Sequence, residues 1–417
     1  MRQRRALFLV ENLPSPFDRR VWQEATALRD AGYLVSIICP TGKGYEKTFE
    51  ALDGIEIFRY RLAEADGVAG YLLEYSAALA FTFALSWKVF FRQGFDVIHA
   101  CNPPDLFFLI GGFWKLFGKK FLFDHHDASP ELYEAKFGRR GLLWKAMMLL
   151  EKLTFRTADV SLATNESYKR IAVTRGGMPP EKVFVVRSGP SLERMKIGFH
   201  DEKLKKGKKY LVGYVGVMGR QEGIDYLLRA AAHIVHDLGR KDVHFGLVGG
   251  GTSLEEMKRL ADELGLNDCV TFTGRVSDEQ MLAMLNTADV CVNPDAANEM
   301  NDISTMNKVM EYMALGKPMV QFDLAEGRFS AQRASLYARR NNAFDLAAKI
   351  VELLDNPEKR AAMGEIGRRR VLEELEWRHE VPKLLQAYEA LWAPAKPRPA
   401  SPAARKGPAW LSGGRGR

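Results

Sequence analysis

The sequence predicts an α/β protein of two Rossmann-like halves, with parallel sheets facing each other across a cleft. A continuous apolar run at 6–10 and strand-like runs at 34–38 and 95–99 alternate with helix-length segments, as in sheets covered on both faces. The alternation restarts at 210–215, after a charged run at 202–209. At 417 residues, 47% apolar and 27% charged, the chain can build two or three domains with proper cores. The expected division is an N-terminal domain over 1–190, a charged linker over 191–209, and a second domain over 210–376. A closing helix over 377–392 and a disordered basic tail over 393–417 complete it.

In order along the chain, the run 6–10 ends at Glu11, too short for a signal segment, and is read as the first strand. The loop after it carries Asp18, Arg19 and Arg20 to the start of a helix over 21–31. The first βα loop of a doubly wound sheet opens on the cleft, so these three are candidates to meet an acceptor. The plainer alternative is that Asp18 and Arg20 cap and brace the helix. The stretch 71–91 is apolar but interrupted by Glu74, Ser76, Ser86 and Lys88, and 106–117 is a second, shorter apolar stretch. Neither offers the roughly 20 clean apolar residues of a membrane span. Both are expected as first-domain helices, packed in the core or able to lie on a bilayer surface.

A strand over 119–123 delivers Asp124-His125-His126-Asp127, with Glu131 just beyond. Neighbouring residues of an extended chain point to opposite sides, so His125 and His126 should not share an ion, and no metal is expected. In the second half, Gly216, Gly219 and Gly223 surround Arg220 in a strand-to-helix turn, and Gly249 and Gly250 form another. Such turns let backbone amides approach phosphate oxygens. After a strand at 288–293, a helix is expected to start near Ser304 or Thr305 and stop at Gly316, with Pro318 beyond. Hydroxyls and free amides at its start suit a phosphate. Lys308 and Glu311 are three apart and share a helix face, the cation fitting a diphosphate and the carboxylate the hydroxyls of a ribose. A solvated Lys–Glu pair is the alternative.

Cys39, Cys101, Cys269 and Cys291 are scattered without a CxxC, which reads as reduced thiols in a cytoplasmic protein. The net charge of +8 is spread out and does not point to nucleic acid.

The segment Asn307-Lys308-Val-Met-Glu311-Tyr-Met-Ala-Leu-Gly316-Lys-Pro318 resembles the donor-site motif of family-4 retaining nucleotide-sugar glycosyltransferases, which have the GT-B fold. The bacterial polysaccharide-assembly members are the most similar. Their motif has two glutamates separated by seven residues; Glu311 matches the second, and the first falls on Ile303, beside Asp302. The resemblance extends to the loop Pro16–Trp22, to Asp124–Tyr133 and to Gly216–Gly223. It implies a donor, expected to be UDP-linked, on the second domain. There Gly216, Gly219, Arg220, Gly223, Gly249, Gly250, Ser304, Thr305, Met306, Asn307, Lys308 and Glu311 would hold it, with Arg275 and Val276 beside the base. The family's usual arginine and lysine of the glycine turn are replaced by Val217 and Glu222, leaving Arg220 and Lys308 to supply positive charge. His126 would lie at the donor sugar and share catalysis with Glu311, and Asp18, Arg19, Arg20 and Glu131 would face the acceptor. The acceptor implied is a saccharide or a polyprenyl-diphosphate-linked sugar, at the inner membrane face, with no metal or cofactor. A nucleotide-sugar 2-epimerase of the same fold and a non-catalytic nucleotide-sugar-binding subunit are the rival readings.

Overall fold

The computed structural model describes residues 3–62 and 67–393, so the expected basic tail lies outside the described residues. The strands are β1 Arg5–Leu9, β2 Leu34–Pro40, β3 Phe49–Leu52, β4 Ile55–Tyr60, β5 Val97–Cys101, β6 Lys120–His125, β7 Val160–Ala163, β8 Val183–Val185, β9 Tyr210–Val215, β10 Val243–Val248, β11 Val270–Gly274, β12 Val290–Asn293, β13 Met319–Phe322 and β14 Ser335–Ala338. The helices are α1 Arg19–Asp30, α2 Gly67–Arg92, α3 Phe108–Lys115, α4 Ser129–Phe137, α5 Leu142–Thr157, α6 Glu166–Thr174, α7 Ile224–Ala232, α8 Leu254–Glu263, α9 Asp278–Thr287, α10 Glu299–Ile303, α11 Asn307–Ala314, α12 Ala325–Ala331, α13 Ala343–Leu354, α14 Pro357–Arg370 and α15 Val381–Ala390.

They form two sheets, ordered β3-β4-β2-β1-β5-β6-β7-β8 and β11-β10-β9-β12-β13-β14. All pairings are parallel except β3 with β4. In each sheet the order reverses at one point, between β1 and β5 and between β9 and β12. Ligands of open α/β sheets bind outside the strand ends at such a point. Strand periodicity explains the layering. Ala6, Phe8 and Val10 pack with α1 and α15, while Leu7 and Leu9 pack with α2 and α3.

The helix expected from Ser304 begins instead at Asn307. A short helix, α10, precedes it, capped by the Asn298 side chain accepting from Asn301 N at 2.8 Å. Ser304 is then extended and spends its hydroxyl on Met300 O at 2.7 Å. The segment expected as a charged linker is docked on the second domain. Met195 is fully buried there, with Leu192 and Leu204 against the same core. The two apolar stretches both pack and expose: Trp114 is fully buried, its indole N–H donating to Ser86 Oγ at 3.0 Å, while Phe91 is 77% and Leu116 83% exposed. Among the described residues no helix is long and apolar enough to cross a membrane.

Candidate active site

The second-domain half of the cleft is built at the ends of β9, β10 and β12. Its turns pack backbone to backbone, which only glycine allows. A Cβ at Gly223, where φ is +62°, would fall 2.0 Å from Pro294 O, and one at Gly249 would fall 1.8 Å from Gly216 O. Beneath the turn 216–223 lies Lys308. Its ammonium is 2.8 Å from Asp295 Oδ1, 3.4 Å from Glu222 Oε2 and 5.3 Å from the ring centre of Tyr214. Burial opposes the charge, but Asp295 and the neighbouring groups hold Lys308 well above the usual lysine range. The solvated Lys308–Glu311 pair is thus not formed.

Glu311 reaches the other way, toward the first domain. Its Oε1 accepts from Arg194 Nη1 at 2.9 Å and from Arg19 Nη1 at 3.5 Å, and both arginines also hold Asp278, at 2.6 and 3.1 Å. Arg275 stacks on Phe17 across the cleft, 5.7 Å from its ring centre, and Val276 packs in the second-domain core. Arg220 is exposed and lines a cavity of about 500 Å³ with Arg229, Glu256 and Arg259, among residues of α7 and α8. Among the described residues, the buried cation under the turn is Lys308.

Two donor-site expectations need correction, the free hydroxyls of Ser304 and Thr305. The Thr305 hydroxyl is engaged by the first domain, accepting from Asn165 Nδ2 at 2.9 Å, which also donates to Ile303 O at 2.8 Å; the Ser304 hydroxyl donates to Met300 O, with Tyr168 OH of the first domain 3.4 Å away. Met306, the cap residue of α11, packs its side chain toward the second core. Ile303, where relatives have their first glutamate, packs against the first-domain core. Asp302 does not replace it, because its Oδ1 accepts from Ala325 N at 3.0 Å and from Arg340 at 2.8 Å.

In the first domain, β6 carries Asp124 and His125 inward. Asp124 receives Arg20 through two hydrogen bonds of 2.8 and 3.1 Å, and His126 Nε2 bonds its Oδ2. Burial works to raise Asp124, yet Arg20 and His126 hold it well below the ordinary carboxylate range. Neighbouring Glu24, 3.0 Å from Arg20, is pushed well above that range by burial. Buried His99 is lowered by desolvation and stays neutral, 2.9 Å from Tyr388 OH.

Arg20 is therefore committed to the fold, and Asp18 caps α1, accepting from Val21 N at 3.1 Å. Glu131 is paired with Arg175 at 2.5 Å. The acceptor assignment for these three is corrected, since burial without pairing would strand each charge. Arg19 is 55% exposed at the cleft. His125 is fully buried among Phe123, Phe155 and Tyr168. His126 keeps 13% exposure, and with Nε2 on a carboxylate its Nδ1 accepts when the ring is neutral and donates only when it is protonated. Two ligand sets, His99–Cys101–Asp124 and Glu24–Asp124–His126, have donor atoms within 4.8 Å of one another. The Arg20 guanidinium already serves as the cation for their shared Asp124.

Sequence reasoning missed Arg194, Asp295, Asn165 and His99. Asp295 had a signal, lying two residues beyond a strand that ends at the switch point. It also missed Glu11, 4% exposed just beyond β1, which burial and then Glu74 raise to about 8.

Residues 18–194 match the model of Glycosyltransferase Family 4, and 209–356 that of Glycosyl transferases group 1. An uncharacterised glycosyltransferase of Methanocaldococcus jannaschii is 21% identical over 372 residues, 87% of this chain and 91% of its own. Sucrose-phosphate synthase from Thermosynechococcus elongatus superposes with a TM-score of 0.75 at 21% identity, over 94% of this chain and 99% of its own. Anabaena HepE in complex with UDP-glucose gives 0.68 at 15% identity, over 93% and 99%. With both halves matched in order and the two-sheet architecture shared, this chain belongs to the family 4, group 1 glycosyltransferases and has the GT-B fold.

Proposed function

We propose that this enzyme moves a sugar, with retention of anomeric configuration, from a UDP-linked donor to a saccharide or polyprenyl-diphosphate-linked acceptor in cell-surface polysaccharide assembly. The observation that carries the donor reading is the pairing at the second switch point: buried Lys308 under the glycine turn, and Glu311 one helical turn on, facing the cleft. Lys308 and the first amides of α11 suit a diphosphate, and the Glu311 carboxylate suits the hydroxyls of a ribose. The shared fold with HepE, solved with UDP-glucose, supports a UDP-linked donor.

Lys308 and the helix amides meet the leaving-group charge, so transfer needs no metal. Activity should persist in EDTA; loss on chelation, restored by Mg²⁺ or Mn²⁺, would overturn that mechanism. His126, across the cleft on the first domain, acts on the departing diphosphate or the charge developing on the sugar, as a donor when its ring is protonated.

Phe91, Leu116 and Phe117 are exposed on the helices 67–92 and 108–115 and the turn after it, and Lys88 and Lys119, over the rings of Phe58 and Phe90, belong to the same segments, a combination suited to an anionic bilayer face. A peripheral position on the cytoplasmic side of the membrane would bring the cleft to a lipid-linked acceptor. Mass spectrometry of products from a panel of nucleotide sugars with a polyprenyl-diphosphate-linked acceptor tests the reading. Acceptor-dependent addition of one sugar supports it; interconversion of free nucleotide sugars without acceptor would replace it by an epimerase.

A further inference from the structure

The turn that relatives make basic is acidic here. Lys308 is shared by two carboxylates, Asp295 at 2.8 Å and Glu222 at 3.4 Å, so with both ionised the cluster carries one net negative charge where a diphosphate is to sit. Asp295 is fully buried, and its second oxygen, Oδ2, has no hydrogen-bond partner. Asn293, at the end of β12 and 1% exposed, likewise has an unpartnered side-chain amide. A buried acceptor without a donor beside a second carboxyl group is the arrangement in which two acids share one proton.

We propose that donor binding takes up one proton at Glu222, whose carboxyl O–H then hydrogen-bonds to Asp295 and leaves Lys308 to the diphosphate. This rests on the donor site assigned above. The proton comes from solvent, no covalent bond changes, and the cluster goes from net negative to neutral as the anion arrives. Glu222 is the titrating member because it keeps 17% exposure, while Asp295 has none and holds the shorter bond to Lys308.

The charged and titratable groups around Glu222 are Lys308 of α11, Asp295 beyond β12 and Tyr214 of β9. Across the cleft, α4 carries Glu131 and Glu134, each neutralised by its own arginine, Arg175 and Arg140. Burial raises Glu222 most, Lys308 opposes it and Asp295 adds to the rise, leaving it at about 7 without a donor. A diphosphate raises it further. Uptake is then near zero at pH 6, where Glu222 is already protonated, and approaches one proton at pH 8. Affinity should fall up to tenfold per pH unit above neutrality.

The test is calorimetry of the full chain with UDP-glucose and, separately, GDP-mannose, at pH 6 and 8 in buffers of different ionisation heat. Each probe is esterified at both ends of its diphosphate, so its own charge is constant over this range. Buffer-dependent heat at pH 8 that vanishes at pH 6 supports the proposal. It should be abolished in Glu222→Gln and in Glu222→Lys, the latter binding at least tenfold tighter at pH 8. Buffer-independent heat in the wild type at pH 8, or undiminished uptake in Glu222→Gln, overturns it. Absence of binding by either probe overturns the donor-site reading, and the proposal with it.

Discussion

Glu311 and His126 both have ionic partners before any substrate arrives, and those partners decide what each substitution will report. Glu311→Ala removes one carboxylate from a half-buried network in which Arg194 and Arg19 keep Asp278, so the fold survives and the loss is read in binding. A charged acceptor of hydrogen bonds is worth about 1.5–3 kcal/mol, or roughly 10- to 150-fold in donor Kd by calorimetry. Unchanged affinity would mean the donor site has been misplaced. Lys308→Ala is a less clean probe, because it strands buried Asp295, a change that destabilises by about 3–5 kcal/mol. His126→Ala leaves Asp124 with Arg20 and His99, so folding should be intact. Turnover should fall by about 10²-fold with donor Kd little changed, since the ring acts only as charge moves. Full turnover in His126→Ala, or the same loss in His125→Ala, would reject that register of β6. Residue types and spacing made Lys308, Glu311 and His126 legible. The inward turn of Arg20 and Asp18 was not, because a charged residue at a loop end reads alike whether it faces a ligand or a buried partner.

At the scale of elements, the segment between β12 and α11 departs most from expectation. Its glycine-stopped helix and flanking strands were legible from apolar runs and from Gly316 and Pro318. The extra helix α10 was not, because five residues are too few to show a helical period and its closing contact with Asn165 is a matter of tertiary position. Docking of Ile303 against the first domain also explains why an apolar residue stands where relatives have a glutamate. Ile303→Glu should therefore lower stability, by about 1–3 kcal/mol in a denaturant melt, without improving donor affinity. Tighter donor binding in that variant would show that the position faces the sugar nucleotide instead.

For the whole molecule, α15 ties the chain's far end to the first sheet. Leu384, Ala387 and Tyr388 are fully buried there, and Tyr388 bonds His99 beside Asp124. Tyr388→Ala should cost about 3–5 kcal/mol, as for other buried aromatic side chains, seen as a lower melting temperature. Donor binding on the second domain should persist; an unchanged melt would mean α15 contributes little to first-domain stability. By itself the sequence determined the two-sheet α/β architecture, the glycine turns and the helix bearing Lys308 and Glu311. Those follow from local periodicity, backbone freedom and residue spacing, all carried by short stretches of chain. Only the tertiary structure decided which charges are spent on folding and which face the cleft. Arg20 found Asp124 from 104 positions away, and Arg194 found Glu311 from 117. Such pairings depend on strand order and on the approach of the two domains, and no local pattern encodes either.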